Sequence, residues 1–333
     1  SRGAFEGGIV VHAIVIHETG GPEVLQWEEY APAAWGEGEV RLVQEAVGLN
    51  YIDVYHRTGL YPLPGLPAVP GLEGAGVVEA VGPGVDQFGP GDRVAYAGVP
   101  PGAYAESRCL PAHRLVRLPD EISTRKAAAM MLQGMTARYL LKGCHDVHPG
   151  SIILIQAAAG GVGLLLCQWA RHLGAISIGT VGSPEKAELA RENGCTHTVL
   201  YREEDFAEEV RQLTRGRGVD VVYDSVGRDT FIKSLDCLRP MGTMVSFGQS
   251  SGPIDPLELG LLAAKGSLFL TRPSLMHYTA SREDLLVHAR DLFEVVVSGA
   301  VRIQARQEYP LREAERAHRD LEGRRTSGSS VLI

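Results

Sequence analysis

The sequence predicts an α/β protein in two parts, a β-rich domain followed by a doubly wound parallel sheet. Three observations predict it. From His12 to about Ala129, short apolar runs alternate with Gly/Pro turns, the pattern of strands in a β-rich fold. Beyond Lys126, uniformly apolar runs alternate with helical stretches, which is how strands buried on both faces of a parallel sheet read. Glycine is the third: 40 of 333 residues without a repeat, against a usual share of about 7%, calls for many tight turns and close backbone approaches.

Residues 1–11 are small, Gly-rich and unpatterned, and read as an expression remnant; they lack the basic and apolar regions of a signal peptide. The runs at 12–18, 39–50, 74–82 and 92–98 read as strands, punctuated by Gly20-Gly21-Pro22, Gly82-Pro83-Gly84 and Pro100-Pro101-Gly102. Residues 127–141 read as one helix leading into the second domain. Strands follow at Ile152–Ala157, Ile176–Val181, Thr198–Tyr201, Val219–Tyr223, Thr243–Phe247 and Ser267–Thr271. The helix after the second of these has Ser183 as cap, Pro184 at its first position and Gly194 past its end. A helix over Arg282–Ser298 and a strand, helix and strand to the terminus return to the β-rich domain. The expected division is therefore 12–130 with 273–333 for that domain and 131–272 for the sheet domain.

Composition excludes several functions. Lys+Arg is 32 against Asp+Glu 40, net −8 with pI about 5.8, which disfavours duplex nucleic acid and anionic membrane as partners. The five cysteines are scattered and no two form a CxxC, the usage of a reduced, cytoplasmic chain. Ile152–Ala170 carries no charge for nineteen residues, but Gly160, Gly161 and Gly163 interrupt it, so it reads as strand, turn and helix rather than a membrane span.

The chemistry-bearing segment is Ala157-Ala158-Ala159-Gly160-Gly161-Val162-Gly163, between strand and helix. There a dinucleotide pyrophosphate would meet backbone N–H groups and the positive end of a helix dipole. Ala158 replaces the first glycine of the usual motif. About twenty residues on, an NAD site needs a carboxylate for the ribose; this chain has Gly182, Ser183 and then Lys186. A cation in a first helical turn opposes the macrodipole, and a bound 2′-phosphate explains it, favouring NADPH. Pairing of Lys186 with Glu185 or Glu188 is the plainer alternative.

At this point the residues resemble a known family. Gly48-Leu49-Asn50-Tyr51-Ile52-Asp53, Pro70-Gly71-Leu72-Glu73-Gly74-Ala75-Gly76 and Gly91-Asp92-Arg93-Val94 look like the medium-chain dehydrogenase/reductases, with a GroES-like β domain and a Rossmann domain. Within them the chain is similar to the quinone oxidoreductase/zeta-crystallin branch nearly throughout from His12. The glycine-loop signature fits at Leu154, Ala158 to Gly161, Gly163, Gln168 and Arg171, and departs at Ser151. Residues 223–227, 246–252 and 271–275 match further. Zinc-dependent members hold their metal through Cys, His and Cys; the matching positions here are Asn50, Leu72 and about Leu132, so no zinc and no metal site is expected.

The resemblance implies NADPH in a cleft between the domains. It places Asn50 and Tyr55 near the nicotinamide, as the candidate catalytic residues, with Thr136 beneath. Gly160, Gly161 and Val162 would meet the pyrophosphate; Gly182, Ser183, Lys186 and Tyr201 the 2′-phosphate. Ser225 would lie near the adenosine, Phe247, Gly248 and Ser250 at the nicotinamide half, and Arg272, Ser274 and Arg324 would close the pocket. Tyr55 and Tyr61 would line the acceptor pocket. Each has a plainer reading: Asn50 as a turn residue, Tyr201 as a strand-end aromatic, Phe247 as core, Arg324 for solubility, and the tyrosines as core covers.

The implied reaction is metal-free transfer from nicotinamide C4 to a quinone, with proximity and an apolar site doing most of the work. An NADPH-dependent reductase of enones or alkenals shares every feature above. A low-turnover NADPH sensor or RNA binder is a reading of a different class, opposed by the acidic balance. The edge strand Ser267–Thr271 would pair across a two-fold axis in a homodimer.

Overall fold

The computed structural model describes residues 10–32 and 34–333. The expected remnant falls outside these except for Val10 and Val11, and Val11 already opens a strand. The chain runs through β1 (Val11–Val15), β2 (Gln26–Tyr30), β3 (Glu39–Leu49), α1 (Tyr51–Thr58), β4 (Glu73–Val81), β5 (Arg93–Ala97), β6 (Ser107–Pro111) and β7 (Val116–Arg117). Two helices follow, α2 (Thr124–Ala128) and α3 (Met131–Tyr139). Then come β8 (Ile152–Ile155), α4 (Gly161–His172), β9 (Ile176–Val181), α5 (Pro184–Glu192), β10 (His197–Leu200) and α6 (Phe206–Leu213). The sheet continues with β11 (Val219–Asp224), α7 (Phe231–Leu235), β12 (Leu238–Ser246), α8 (Gly260–Ala264) and β13 (Phe269–Thr271). Last are α9 (Leu275–Tyr278), α10 (Arg282–Val297), β14 (Ala305–Tyr309), α11 (Ala314–Glu322) and β15 (Ser329–Leu332).

Two compact units result. Among the described residues, the first comprises those up to Leu132 with Ser281–Ala289 and Ile303–Ile333; the second, Gln133–Ala280 and Arg290–Arg302. Residues 273–280 and 290–302, expected with the β-rich domain, thus group with the sheet domain. Side chains explain it: Tyr278 stacks on Tyr139 at 4.5 Å, and Asp291 pairs with Arg138 at 3.0 Å.

In the first unit, β14, β15, β3, β4, β5 and β7 form one sheet in that order, with β6 also on β3; β1 and β2 pair separately. The last strand, β15, runs antiparallel to β3 through Leu332 opposite Val47. Strands β3 and β4 approach so closely that a Cβ at Gly76 would lie 2.0 Å from the Val43 carbonyl oxygen, so only glycine fits. Ile14, Leu42, Val94, Tyr104 and Leu110 are among its buried core residues.

The second unit is a parallel six-stranded sheet in the order β10-β9-β8-β11-β12-β13. Its strands are apolar because helices cover both faces, and β11 is buried at every residue. The chain reverses its direction of growth between β8 and β11, which puts the ligand crevice of such a sheet at their carboxyl ends.

The structure departs from expectation in two elements. The single helix expected over 127–141 is broken at Ala129–Met130 because the backbone N–H of Leu132 donates to the carboxylate oxygen Glu73 Oε1, 2.8 Å away, and not to a preceding carbonyl. Strand β12 begins five residues earlier than expected, at Leu238, with an irregular register against β11.

Candidate functional site

In the second unit the glycine loop lies at the carboxyl end of β8. Gly160 is the N-cap of α4 and no side chain caps it, so the first-turn N–H groups of Gly161, Val162 and Gly163 point out of the helix as an anion cradle. Close packing shapes the loop. A Cβ on Gly163 would sit 2.4 Å from the Ala157 carbonyl oxygen, and one on Gly161 2.4 Å from the Gln133 side chain. Ala157 takes φ +56°, the left-handed region, without being glycine. Beneath it, Thr180 Oγ1 accepts from the Ala157 N–H (3.3 Å) and donates to Gln156 Oε1 (2.6 Å). Gln156 Nε2 donates in turn to Ser234 Oγ at 3.0 Å.

Adjacent strand ends carry the other expected cofactor residues. Gly182 and Ser183 follow β9, and Ser183 Oγ caps α5 by accepting the Lys186 N–H at 3.3 Å. Tyr201 follows β10, so near that a Cβ on Gly182 would be 2.9 Å from its hydroxyl. Glu188, one plainer partner for Lys186, is engaged by Arg191 at 2.9 Å. Ser225 follows β11, while Phe247, Gly248 and Ser250 follow β12. The two loops are laced together by the Ser250 N–H on the Ser225 carbonyl (3.1 Å) and the Phe247 N–H on the Asp224 carbonyl (2.9 Å). The buried Asp224 carboxylate holds the first loop, accepting from the N–H groups of Val226 and Gly227 and from the hydroxyls of Thr230 and Ser234. Burial pushes its pKa up against those hydrogen bonds. Arg272 follows β13, Ser274 caps α9, and Thr136 is buried on α3.

The first unit holds Asn50, Tyr55, Tyr61 and Arg324. Asn50 is the N-cap of α1. Its side-chain Nδ2 donates to Glu73 Oε2 at 2.7 Å, and its backbone N–H to Asp53 Oδ2 at 2.9 Å. Tyr55 is 7% exposed and packs between Tyr51 and Tyr61, ring centroids 5.9 and 5.0 Å away. Arg324 takes φ +56°, and its charge opposes the rise in the Tyr51 pKa that burial and then Glu322 produce.

A buried chain of hydrogen bonds runs back from Asn50. Tyr104 donates its hydroxyl proton to Asp53 Oδ2 (2.9 Å) and lies 3.0 Å from His318 Nε2. His318 Nδ1 is 3.0 Å from Arg57 Nη1. Arginine has only donors, so Nδ1 accepts and Nε2–H must donate to Tyr104. Arg57 then makes a two-pronged pair with Glu322, both contacts 2.8 Å. Burial, and then the Arg57 charge, hold the His318 pKa down to about 3. Burial raises Asp53 to about 7 and Glu73 to about 8, against the hydrogen bonds each accepts.

The residues present do not fit a zinc ion. Leu72 is fully buried with no ligating atom, Leu132 has none either, and Asn50 is engaged by Glu73. Among the described residues no group of three His, Cys, Asp or Glu side chains comes together to hold a metal, and no helix is long and apolar enough to cross a membrane. A dinucleotide does fit, on the uncapped N-terminus of α4 and its close-packed glycines.

Comparison with known proteins finds two family segments in the chain. Residues 36–120 match the family described as alcohol dehydrogenase GroES-like domain, and residues 161–285 the zinc-binding dehydrogenases. A quinone oxidoreductase of Pseudomonas aeruginosa is 52% identical over 314 residues, 94% of this chain and 97% of that one. This chain belongs to the quinone oxidoreductase branch of the medium-chain dehydrogenase/reductases. Two further relatives bear on chemistry. A 2-haloacrylate reductase of Burkholderia is 48% identical over 332 residues, 97% of this chain and 99% of the other. The crystal structure of Escherichia coli quinone oxidoreductase complexed with NADPH aligns with a TM-score of 0.94 at 48% identity, over 97% of this chain and 99% of that one. The GroES-like and Rossmann folds expected of this oxidoreductase branch are the two folds observed.

Sequence reasoning assigned no role to Glu73, Asp53, Tyr104, His318, Gln133 or Asp224. Asp53 carried a signal, since Asn-x-x-Asp before a helix is a capping pattern. So did Glu73, a carboxylate opening an otherwise apolar strand. Tyr104 and His318 had none, because only the fold joins positions 214 residues apart.

Proposed function

We propose that this chain is an NADPH-dependent quinone reductase. The observation that carries the reading is the uncapped α4 N-terminus with its close-packed glycine loop, in a chain whose relative was solved with NADPH. NADPH, when bound, supplies a hydride equivalent from its nicotinamide. The backbone N–H groups after Gly160, including Gly161 and Val162, hold the pyrophosphate. Ser183, Lys186 and Tyr201, around Gly182, hold the 2′-phosphate. Ser225 lies along the adenosine; Phe247, Gly248 and Ser250 orient the nicotinamide half, with Thr136, Arg272, Ser274 and Arg324 bounding it. Asn50 presents its carboxamide at the reacting end, and Tyr55 and Tyr61 give the acceptor an aromatic surface that keeps water away. A quinone is already electrophilic and its product oxygen is weakly basic, so hydrogen bonding from Asn50, Tyr55 or water suffices. Neither a Lewis acid nor a strong acid is required.

A second reading is favoured by the Burkholderia relative: a haloacrylate is a conjugated carbonyl compound, and an enone or alkenal would accept the same hydride equivalent. The protein is read as cytoplasmic and homodimeric through β13, an edge strand with Phe269 63% exposed; light scattering at micromolar concentration should give twice the chain mass.

NADPH consumption by chelator-treated protein tests the function, with a benzoquinone, an enone, and an alcohol/NADP⁺ control, repeated with NADH. Rapid turnover with quinone and NADPH is expected, and Lys186→Ala should raise KM for NADPH about tenfold while leaving NADH unchanged, the loss of one charge-assisted phosphate contact. Turnover confined to the enone would move the assignment to the second reading. Tight NADPH binding without turnover would leave a sensor.

A further inference from the structure

Two of the five cysteines meet in the fold although no sequence pattern joins them. Cys167 lies on α4, fully buried; Cys195 lies in the turn between α5 and β10, 5% exposed. Both are unbridged thiols, and their side chains are hydrogen-bonded to each other. Backbone packing brings them together: a Cβ on Gly194 would lie 3.3 Å from the Cys167 carbonyl oxygen. Room for the Cys195 sulfur is left by Gly179 on β9, where an added Cβ would sit 2.7 Å from Cys195 Sγ and 2.5 Å from the Ala158 Cβ. Cys167 Sγ is 4.0 Å from the Ala158 carbonyl oxygen, so the pair stands directly behind the glycine loop.

Their surroundings make the two sulfurs unequal. The Cys195 thiol donates to the His197 carbonyl oxygen, 3.1 Å away. The backbone N–H groups of Gly179 and His197 and the Ser177 side chain also face Cys195 Sγ. The Cys167 thiol, hydrogen-bonded to Cys195, holds the Cys195 pKa down against burial. That same bond, and then burial, push Cys167 well up. Burial pushes Cys237, with charged groups rather than a thiol around it, up to about 12. The thiolate is the reactive form of cysteine, so Cys195 is the nucleophile and Cys167 the thiol that answers it. Access favours the same order: Thr196 and His197 beside Cys195 are exposed, whereas Cys167 sits in a buried run of α4.

We propose that Cys167 and Cys195 form a redox-modification site, closed to a disulfide by hydrogen peroxide and reopened by a dithiol. The Cys195 thiolate attacks the peroxide: an S–O bond forms, the O–O bond breaks, and the departing oxygen takes up a proton and leaves as water. Cys195 is then a sulfenic acid. The Cys167 sulfur attacks the Cys195 sulfur, forming the S–S bond and breaking the S–O bond, and the hydroxide leaves as water with the Cys167 proton. Two thiols lose two electrons and two protons; the peroxide gains them and becomes two waters. The disulfide ties α4, whose N-terminus carries the anion cradle, to the turn that enters β10.

The test adds a modest excess of hydrogen peroxide to the whole folded protein, alkylates the remaining thiols under denaturing conditions, and maps tryptic peptides by mass. Arg171, Lys186 and Arg191 lie between the two cysteines, so residues 143–171 and 192–202 should appear joined, and separate after dithiothreitol. In a variant that keeps only this pair (Cys109→Ser, Cys144→Ser, Cys237→Ala), the intact chain should lose about 2 Da, the mass of two hydrogens. Cys195→Ser should leave Cys167 fully open to alkylation, whereas Cys167→Ala should leave Cys195 as a sulfenic acid that dimedone traps. The oxidised protein should unfold at a higher urea concentration than the reduced one, as a cross-link that closes without strain does. Unmodified Cys167 and Cys195 after peroxide, either one joined to another cysteine, or a urea midpoint lowered by oxidation would overturn the proposal. If the triple variant does not fold, the peptide map of the wild-type chain decides.

Discussion

Replacing Tyr104 with Phe removes one oxygen from the middle of the buried chain and leaves the ring in place. That hydroxyl is fully buried, donates to Asp53 Oδ2 at 2.9 Å and accepts from His318 Nε2 at 3.0 Å. Asp53 Oδ1 already has no hydrogen-bond partner, so the carboxylate keeps only the Asn50 backbone N–H. Losing a hydrogen bond to a charged group costs about 1.5–3 kcal/mol, and leaving the His318 N–H buried without an acceptor costs roughly 1–3 more. The expected loss is about 4 kcal/mol at pH 8.5. The hydroxyl also holds the Asp53 pKa down, to about 7. In the variant that pKa rises further, so the folded state binds a proton more readily and the deficit shrinks as pH falls; about 2 kcal/mol should remain at pH 5.5. Urea unfolding in a Trp169→Phe background reports on the first unit alone, because Trp27 and Trp35 both lie there. A loss below about 1 kcal/mol at pH 8.5, or the same loss at both pH values, would refute the hydrogen-bond direction deduced from Arg57.

Three other outcomes follow from the same geometry. His318 has its folded pKa lowered to about 3 from 6.5, so the unfolded chain takes up a proton first and this contribution, full above pH 6.5, is lost on acidification. At about 1.36 kcal/mol per unit, the advantage of wild type over His318→Phe should shrink by about 2 kcal/mol between pH 6.5 and 5; urea midpoints at the two pH values check it, and an unchanged gap would show that the imidazole is charged in the fold. Gly163→Ala places a Cβ against two backbone oxygens, 2.4 Å from Ala157 O and 2.7 Å from Ala158 O; fluorescence titration should show NADPH affinity reduced about tenfold or more with circular dichroism unchanged. Ala157→Gly relieves a left-handed alanine and should raise the thermal midpoint, by about 1 kcal/mol of stability, with NADPH binding retained.

Local pattern determined a good deal. Uniformly apolar runs separated by helices could only be a parallel sheet covered on both faces, and Ser183, Pro184 and Gly194 bound α5 as their chemistry requires. The glycine loop was legible because its demands, close approach and exposed N–H groups, are met within seven consecutive residues. Asn50 was legible as a position, on a resemblance, but not in its partners. Those belong to the tertiary structure. Glu73 breaks the helix expected over 127–141 by taking an N–H from 59 residues away, and no helix propensity in that run foretells a carboxylate arriving from another strand. Tyr104, His318 and Arg57 become one chain of hydrogen bonds only when α1 and α11 pack together. Sequence spacing encodes the periodic contacts of helices and strands, whereas a buried polar group takes whichever partner the fold brings within about 3 Å.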